Sequence, residues 1–259
     1  MRNSQFVLIS LFLSFLFVSN VHSGWQDGIL KQAGDILGGT DSASIGKAAG
    51  SLSNGDISAG LKQALDIGVK KAVDILGKKD GFLKDEAVKI LMPEKLRKVE
   101  EFLRSVGQDK IADDFILSMN NAAEKAVPQV TNIFADSIKK MSIQDAKQIL
   151  TGPDNAATQY FKKNTSEQLQ QLISPQVKNS MASADVTKYY NSMLNMVKEY
   201  DKFGLMKRYL GVDEGNLESY VTDKTMDGLF SKIAIQEKAI RDNPAMRSTD
   251  LLKRVFGSI

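Results

Sequence analysis

The side chains that most enzymes use for proton transfer and nucleophilic attack are nearly absent from this sequence. The chain of 259 residues contains one histidine, His22, and no cysteine. Histidine titrates near neutral pH, and cysteine is the strongest common nucleophile. Both are also usual ligands of zinc, copper and haem. We therefore expect no such metal site and no cofactor. The side chains that remain for catalysis or binding are carboxylates, lysine, arginine, tyrosine and hydroxyls.

One predicted helix, over residues 109–127, has two unlike faces. Apolar residues, among them Phe115 and Met119, recur on one side as in an ordinary core stripe. On the opposite side Asp113, Asn120 and Glu124 lie within roughly 40° of one another, at about 100° per residue. Because apolar residues border this polar face, we predict that it is at least partly covered. A buried carboxylate must be paired, bound to a metal or protonated.

Two interpretations of this polar face stay open. In the structural one, Glu124 meets an arginine and Asn120 ties helix ends together. In the functional one, the face belongs to an oxygen-rich pocket for a small polar ligand or a hard cation such as calcium. No calcium-binding loop supports the cation, because a loop that starts at Asp223 has Ala234 where the closing glutamate belongs.

Helical periodicity runs through almost the whole sequence, with apolar residues three and four positions apart and few alternating patterns. It predicts an all-α fold, a single bundle of about eight to ten helices over residues 54–259. A stripe from Ile57 to Leu76 is flanked by a small residue at every fourth position, which predicts close packing against another helix. Gly107 predicts a left-handed helix end, and Pro128 predicts a kink or a break.

Two pairs of residues have the spacing of a capping box, in which a hydroxyl and an acid or amide three residues later cap a helix N-terminus. Ser142 with Asp145 predicts one helix start. Thr165 with Gln168 predicts another.

The first 53 residues differ from the rest. Residues 1–23 combine Arg2, an apolar run and small residues before Gly24, which is the order of a cleaved signal peptide. An apolar run of about 13 residues is shorter than the roughly 20 that span a bilayer, so we expect cleavage and not a retained anchor. Residues 24–53 are rich in glycine and serine, which predicts a flexible leader with one short helix. The protein is therefore expected to be exported.

The charges are nearly balanced and well mixed along the chain. Lysine and arginine number 34 against 31 aspartates and glutamates, a formal net charge of +3. Nucleic-acid binding needs basic residues concentrated on one surface. We therefore expect no nucleic-acid partner.

The helical part also contains short phrases in a fixed order. They are LKQAL at 61–65, LRSVG at 103–107, MNNAAE at 119–124, DAKQIL at 145–150, AATQYF at 156–161, YYN at 189–191, YVT at 220–222, GLF at 228–230 and IRDNP at 240–244. This series, over residues 57–256, resembles an exported, mostly bacterial family known as domain of unknown function 4197. The resemblance implies a periplasmic or cell-envelope setting. It implies no activity, so no catalytic residue carries over.

Polar members of these phrases and of the two-faced helix are the candidate ligand-binding residues. They are Arg104, Asp113, Asn120, Glu124, Asp145, Thr158, Tyr160 and Arg241. Each also has a structural interpretation as a cap or an ion pair, and Arg241 follows Glu237 at the spacing of a helical ion pair. An arginine that meets the Asn120 and Glu124 face would either neutralise it or form a receptor for an anionic or zwitterionic ligand.

Three functions stay open. The first is a non-catalytic helical protein that binds a small polar ligand or an envelope protein. The second is a hydrolase of envelope material that uses carboxylates with Tyr160 or a lysine, which two carboxylates about 5 to 10 Å apart in an open cleft would favour. The third is a structural or membrane-surface role, in which lysines at 62–79 contact anionic lipid.

Overall fold

The structure, a computed structural model, describes residues 53–206 and 214–243, together with Lys253 and Val255. The predicted signal peptide and all of the predicted leader before residue 53 lie outside the described residues. The described part contains eight α-helices, two short 3₁₀ helices and no strand. The α-helices are α1 (Asn54–Leu76), α2 (Arg97–Ser105), α3 (Asp109–Ala126), α4 (Thr131–Lys140), α5 (Ile143–Thr151), α6 (Ala156–Ser183), α7 (Val186–Tyr200) and α8 (Glu214–Asp242). The all-α class is confirmed, and the total of eight to ten helices for the whole chain stays a prediction.

Helix α1 begins at a capping box and packs closely against α8. The Ser53 hydroxyl accepts a hydrogen bond from the Asp56 N–H at 3.1 Å, and the Asp56 carboxylate accepts one from the Ser53 N–H at 3.2 Å. Gly68 lies so near α8 that a Cβ added there would be 3.5 Å from Cδ1 of Ile240. The close helix packing predicted from the small residues is confirmed, since only residues without bulky side chains let two helices approach in this way.

The predicted breaks between helices are largely confirmed. Gly107 has a φ of +76°, as expected for a residue that ends α2 in the left-handed region. Pro128 lies in a 3₁₀ helix, Val127–Val130, that separates α3 from α4. The predicted start at Thr165 is wrong, because α6 runs through this position. Thr165 is buried there and its hydroxyl donates to the Phe161 carbonyl at 2.7 Å, so it caps no helix end.

Helix α6 lies at the centre of the packing and contacts both α3 and α8. Helix α8 packs in turn against α1, and α3 packs against α7. Buried apolar side chains from these helices form one continuous core. Within it the rings of Phe134 and Phe161 meet edge to face, with centroids 5.2 Å apart. Among the described helices, none has the length and hydrophobicity of a membrane-crossing segment.

A long irregular connection joins α1 to the first of the two 3₁₀ helices, Glu94–Leu96. Residues 77–93, here called the 77–93 segment, contain turns and extended backbone but no helix. Connections of this length without regular structure are uncommon in folded domains. Phe82 and Ile90 from this segment are nevertheless fully buried. Side chains from elsewhere in the chain must therefore satisfy its backbone.

Candidate functional site

The eight candidate residues fall in four places. Arg104 and Asp113 lie where α2 meets α3, and Asn120 and Glu124 lie beneath the 77–93 segment. Thr158 and Arg241 lie where α8 crosses the ends of α5 and α6. Asp145 and Tyr160 line an open cleft beside α5 and α6. In the first three places the candidate side chains bond to one another or to the backbone, although Arg104 and Asp113 also line an open cleft. The fourth offers polar groups to solvent.

Asn120 binds the 77–93 segment through hydrogen bonds from both the oxygen and the nitrogen of its side-chain amide. Its Oδ1 accepts a hydrogen bond from the Ile90 N–H at 2.9 Å, and its Nδ2 donates to the Ile90 carbonyl at 2.8 Å. Nδ2 also donates to the Ile116 carbonyl at 2.8 Å. The side chain is fully buried, and its carboxamide has a partner on both sides. Asn120 therefore ties the segment to α3, which agrees with its structural interpretation, although the partner is a loop and not a helix end.

Glu124 binds the first turn of the same segment through backbone amides. Its two carboxylate oxygens accept from the N–H of Asp80 at 3.2 Å and of Phe82 at 3.1 Å. Asp80 has a φ of +63°, an uncommon conformation for a residue other than glycine. The glutamate is 5% exposed. Burial raises the pKa of Glu124, and the hydrogen bonds from the backbone of Phe82, Leu83 and Asp80 oppose that rise.

The arginine expected at Glu124 is elsewhere, and Asp113 does not share the covered face. Nη2 of Arg104 donates to Glu100 and to Asp113, each at 2.8 Å, and Nη1 donates to Asp109 at 3.4 Å. The Asp113 side chain is 61% exposed. Hydrogen bonds to Asp113 and then to Glu100 raise the pKa of Arg104, so the guanidinium stays charged. The predicted trio is thus a buried pair and a separate surface ion-pair cluster.

Thr158 and Arg241 meet at a second buried glutamate, Glu237. The N–H groups of Ala157 and Thr158 and the Thr158 hydroxyl all donate to the Glu237 carboxylate at 2.9 Å. Arg241 donates to Glu237 at 2.9 Å and to the Ile149 carbonyl at 2.7 Å. The predicted helical pair of Glu237 with Arg241 is therefore present. Its anion faces the N-terminus of α6 and its cation faces the C-terminus of α5, the favourable orientation for both helix dipoles.

The open cleft, here called the Tyr160 cleft, has a volume of about 720 Å³ and is formed by α5, α6 and the end of α4. Its polar lining includes Lys140, Asp145, Gln148, Gln159, Tyr160 and Lys163. Asp145 is occupied in the capping box of α5, and its hydrogen bonds with Ser142 lower the pKa of the Asp145 carboxyl. Burial raises the pKa of Tyr160, and the charge of Asp145 adds to that rise. The phenol therefore stays a hydrogen-bond donor at neutral pH.

Sequence analysis missed the two lysines of this cleft and the anchors of the 77–93 segment from α8. Lys163 follows Tyr160 at i+3, a spacing that places both on one face of α6. Within the described residues neither Lys140 nor Lys163 has an ion-pair or hydrogen-bond partner. The anchors from α8 are an ion pair of Lys232 with Asp85 and a hydrogen bond from the Tyr220 hydroxyl to the Leu91 carbonyl at 2.9 Å. No sequence signal indicates these long-range contacts.

In the part of the chain that the structure describes, no three His, Cys, Asp or Glu side chains converge as metal ligands would. The two buried glutamates are engaged by backbone N–H groups.

The fold and these sites define an all-helical protein whose buried acids serve the fold and whose open clefts are polar. The chain belongs to a family described as protein of unknown function (DUF4197), whose model matches residues 51–257. The resemblance inferred from the short phrases is confirmed. No curated protein and no solved structure matches the chain.

Proposed function

We propose that this protein is an exported, non-catalytic binding protein of the bacterial envelope, and that the Tyr160 cleft binds a small anion carrying a carboxylate or phosphate group. The observation that carries the proposal is the pair of lysines, Lys140 and Lys163, which line the cleft without a partner among the described residues. The Tyr160 hydroxyl adds a neutral donor, because it makes only one long hydrogen bond, 3.4 Å, to the Ser137 carbonyl.

The charges of the cleft favour an anion. Lys140 and Lys163 face a single acid, Asp145, and that acid already accepts from the Ser142 hydroxyl at 2.7 Å and from the Ser142 N–H at 2.9 Å. Charge-assisted hydrogen bonds from ammonium groups to carboxylate or phosphate are stronger than neutral ones. An anion would thus find two ammonium groups without an ion-pair or hydrogen-bond partner among the described residues, and a phenol whose own hydrogen bond, to the Ser137 carbonyl, is long.

The two alternative functions have less support. Glu100 and Asp113, two carboxylates that line one open cleft, are both bound to one nitrogen of Arg104. A glycosidase instead needs one carboxyl that carries a proton. For the membrane-surface role, two of the five lysines at 62–79 already have partners within the fold, since Lys62 donates to the Lys139 carbonyl and Lys70 pairs with Asp66.

Titration calorimetry at low salt tests the ligand class. We expect inorganic phosphate or glucuronate to bind and glucose, which is neutral, not to bind. Lys163→Ala and Lys140→Ala should each weaken binding by about tenfold, since a hydrogen bond to a charged group contributes about 1.5–3 kcal/mol. Tyr160→Phe should weaken it less.

The matched control is Lys147→Ala, which removes an exposed lysine of α5 that does not line the cleft. It should leave the affinity unchanged. Equal losses in Lys147→Ala and Lys163→Ala would mean that the anion responds only to overall charge. Absence of binding by every anion tested would refute the proposed ligand class.

Export is tested separately. We expect the protein in the periplasmic or envelope fraction, with an N-terminus at Gly24 by mass spectrometry. Recovery with Met1 intact in the cytoplasmic fraction would contradict the export proposal and leave the anion test unaffected.

A further inference from the structure

A second cleft lies between α6 and α8, on residues that no part of the proposed function uses. This α6–α8 cleft has a volume of about 530 Å³. Its lining includes Glu167, Gln171, Ser174, Pro175, Glu218 and Thr222. Two carboxylates are present, and the described residues of the lining include no lysine or arginine. The cleft is therefore acidic and rich in oxygen acceptors, the opposite of the Tyr160 cleft.

One of these acids is held in place. The Ser174 hydroxyl on α6 donates to Oε1 of Glu218 on α8 at 2.8 Å. Glu218 is only partly exposed, whereas Glu167 is exposed. A carboxylate fixed by a single hydroxyl keeps most of its acceptor capacity for a ligand.

A buried hydroxyl beside the cleft has no hydrogen-bond partner among the residues that the structure describes. Thr222 is 2% exposed, it lines the cleft, and its Oγ1 is both buried and unbonded. Three residues later on the same helix, Thr225 donates to the Val221 carbonyl at 2.6 Å, as a helical threonine commonly does. Buried polar groups are normally satisfied, so an unbonded one indicates a site where a ligand or an ordered water supplies the partner.

Pro175 interrupts the backbone hydrogen bonding of α6 beside the same cleft. Proline inside a helix has no N–H to donate to the carbonyl four residues earlier. That carbonyl belongs to Gln171, and both residues line the cleft. The break in the helical bonding pattern of α6 therefore coincides with the unbonded hydroxyl of α8.

We propose that the α6–α8 cleft binds the primary ammonium group of a small organic amine. An ammonium group has three N–H donors and no acceptor, which matches a lining of carboxylate, hydroxyl and carbonyl oxygens. The volume accommodates a diamine or an amino sugar.

The probe for this proposal is 1,4-diaminobutane, titrated into the protein at low salt by calorimetry. The expected result is saturable binding of the diamine and none of 1,4-butanediol, which has the same length without the charge. Glu218→Gln should weaken diamine binding by tenfold or more. Glu199→Gln, on an exposed acid of α7 outside the cleft, should leave it unchanged.

Thr222→Val provides a second readout that a purely structural role would not produce. The substitution keeps the shape of the side chain and removes the unbonded hydroxyl. We expect the melting temperature without amine to rise and the diamine affinity to fall severalfold. This combination also shows that the variant is folded.

Several outcomes would overturn the proposal. They are equal binding of the diol, binding of calcium without binding of the diamine, an equal loss in Glu199→Gln, and unchanged diamine affinity in Thr222→Val, which would mean that an ordered water alone satisfies the hydroxyl. None of these results depends on the Tyr160 cleft, so the two proposals fail separately.

Discussion

Two buried glutamates hold distant parts of this chain together, and they do so with different electrostatics. Glu237 binds backbone N–H groups at the start of α6 and also has a cation, Arg241, at 2.9 Å. Glu124 binds backbone N–H groups of the 77–93 segment and, among the described residues, has no cation at hydrogen-bonding distance. Both sites thus consist of a glutamate that accepts hydrogen bonds from two backbone N–H groups.

The comparison indicates that backbone amides alone stabilise a buried carboxylate less than backbone amides together with a counter-ion do. At Glu237 a full positive charge and the N-terminus of α6 both stabilise the carboxylate. At Glu124 burial raises the pKa, since only dipoles oppose the loss of solvation. We therefore expect the Glu237 site to contribute more stability and the Glu124 site to be the more sensitive to pH.

The largest effect is expected for Glu237→Ala. The change leaves Arg241 without its carboxylate and removes the acceptor for Ala157 and Thr158. Breaking a buried ion pair from one side should lower the free energy of unfolding by about 3–5 kcal/mol. Urea denaturation measures it. Glu199→Ala, on an exposed glutamate, is the control and should change stability by about 0.5 kcal/mol or less. Equal losses in both variants would refute the comparison.

A smaller loss is expected for Asn120→Ala. The variant leaves the N–H and the carbonyl of Ile90 without partners in the core. Unsatisfied buried groups cost about 1–3 kcal/mol. Limited proteolysis should show new cleavage within residues 77–93, because Asn120 anchors that segment. Cleavage that begins elsewhere would argue against its role as an anchor.

The contribution of the Glu124 site to stability is expected to depend on pH. The folded-state pKa of Glu124 lies above its ordinary value of 4.5. The stability that this carboxyl contributes is then fully present below pH 4.5 and is lost as the pH rises through the folded-state pKa. Urea denaturation from pH 4 to pH 8 should show wild-type stability falling relative to that of Glu124→Gln. A difference that does not change with pH would contradict this prediction.

The smallest effect is expected for Asp113→Ala, the exposed member of the predicted trio. Arg104 keeps Glu100 and Asp109 as partners after the change. A surface ion pair of this kind should contribute less than about 1 kcal/mol to the free energy of unfolding. A loss as large as that of Asn120→Ala would mean that the ion-pair cluster around Arg104 is part of the core architecture.

Sequence patterns predicted the local structure well where contacts within about four residues decide it. The capping box at Ser142 and the left-handed end at Gly107 are present as predicted. Thr165 with Gln168 has the same capping pattern, yet it lies inside α6. The pattern fails there because Thr165 lies between Phe161 and Leu169 on the buried face of α6, and burial outweighs a local capping preference.

The sequence by itself determined the helical class, the helix ends at Gly107, Pro128 and Ser142, and the burial of Asn120 and Glu124 on α3, because these depend on propensity, capping and periodicity between near neighbours. Only the tertiary structure decided what covers that face and which acid meets which cation. The partners of Glu124 lie 42 and 44 residues away, and the α6 amides that bind Glu237 lie 79 and 80 residues away. Contacts over such separations arise from the packing of whole helices, so no local pattern encodes them.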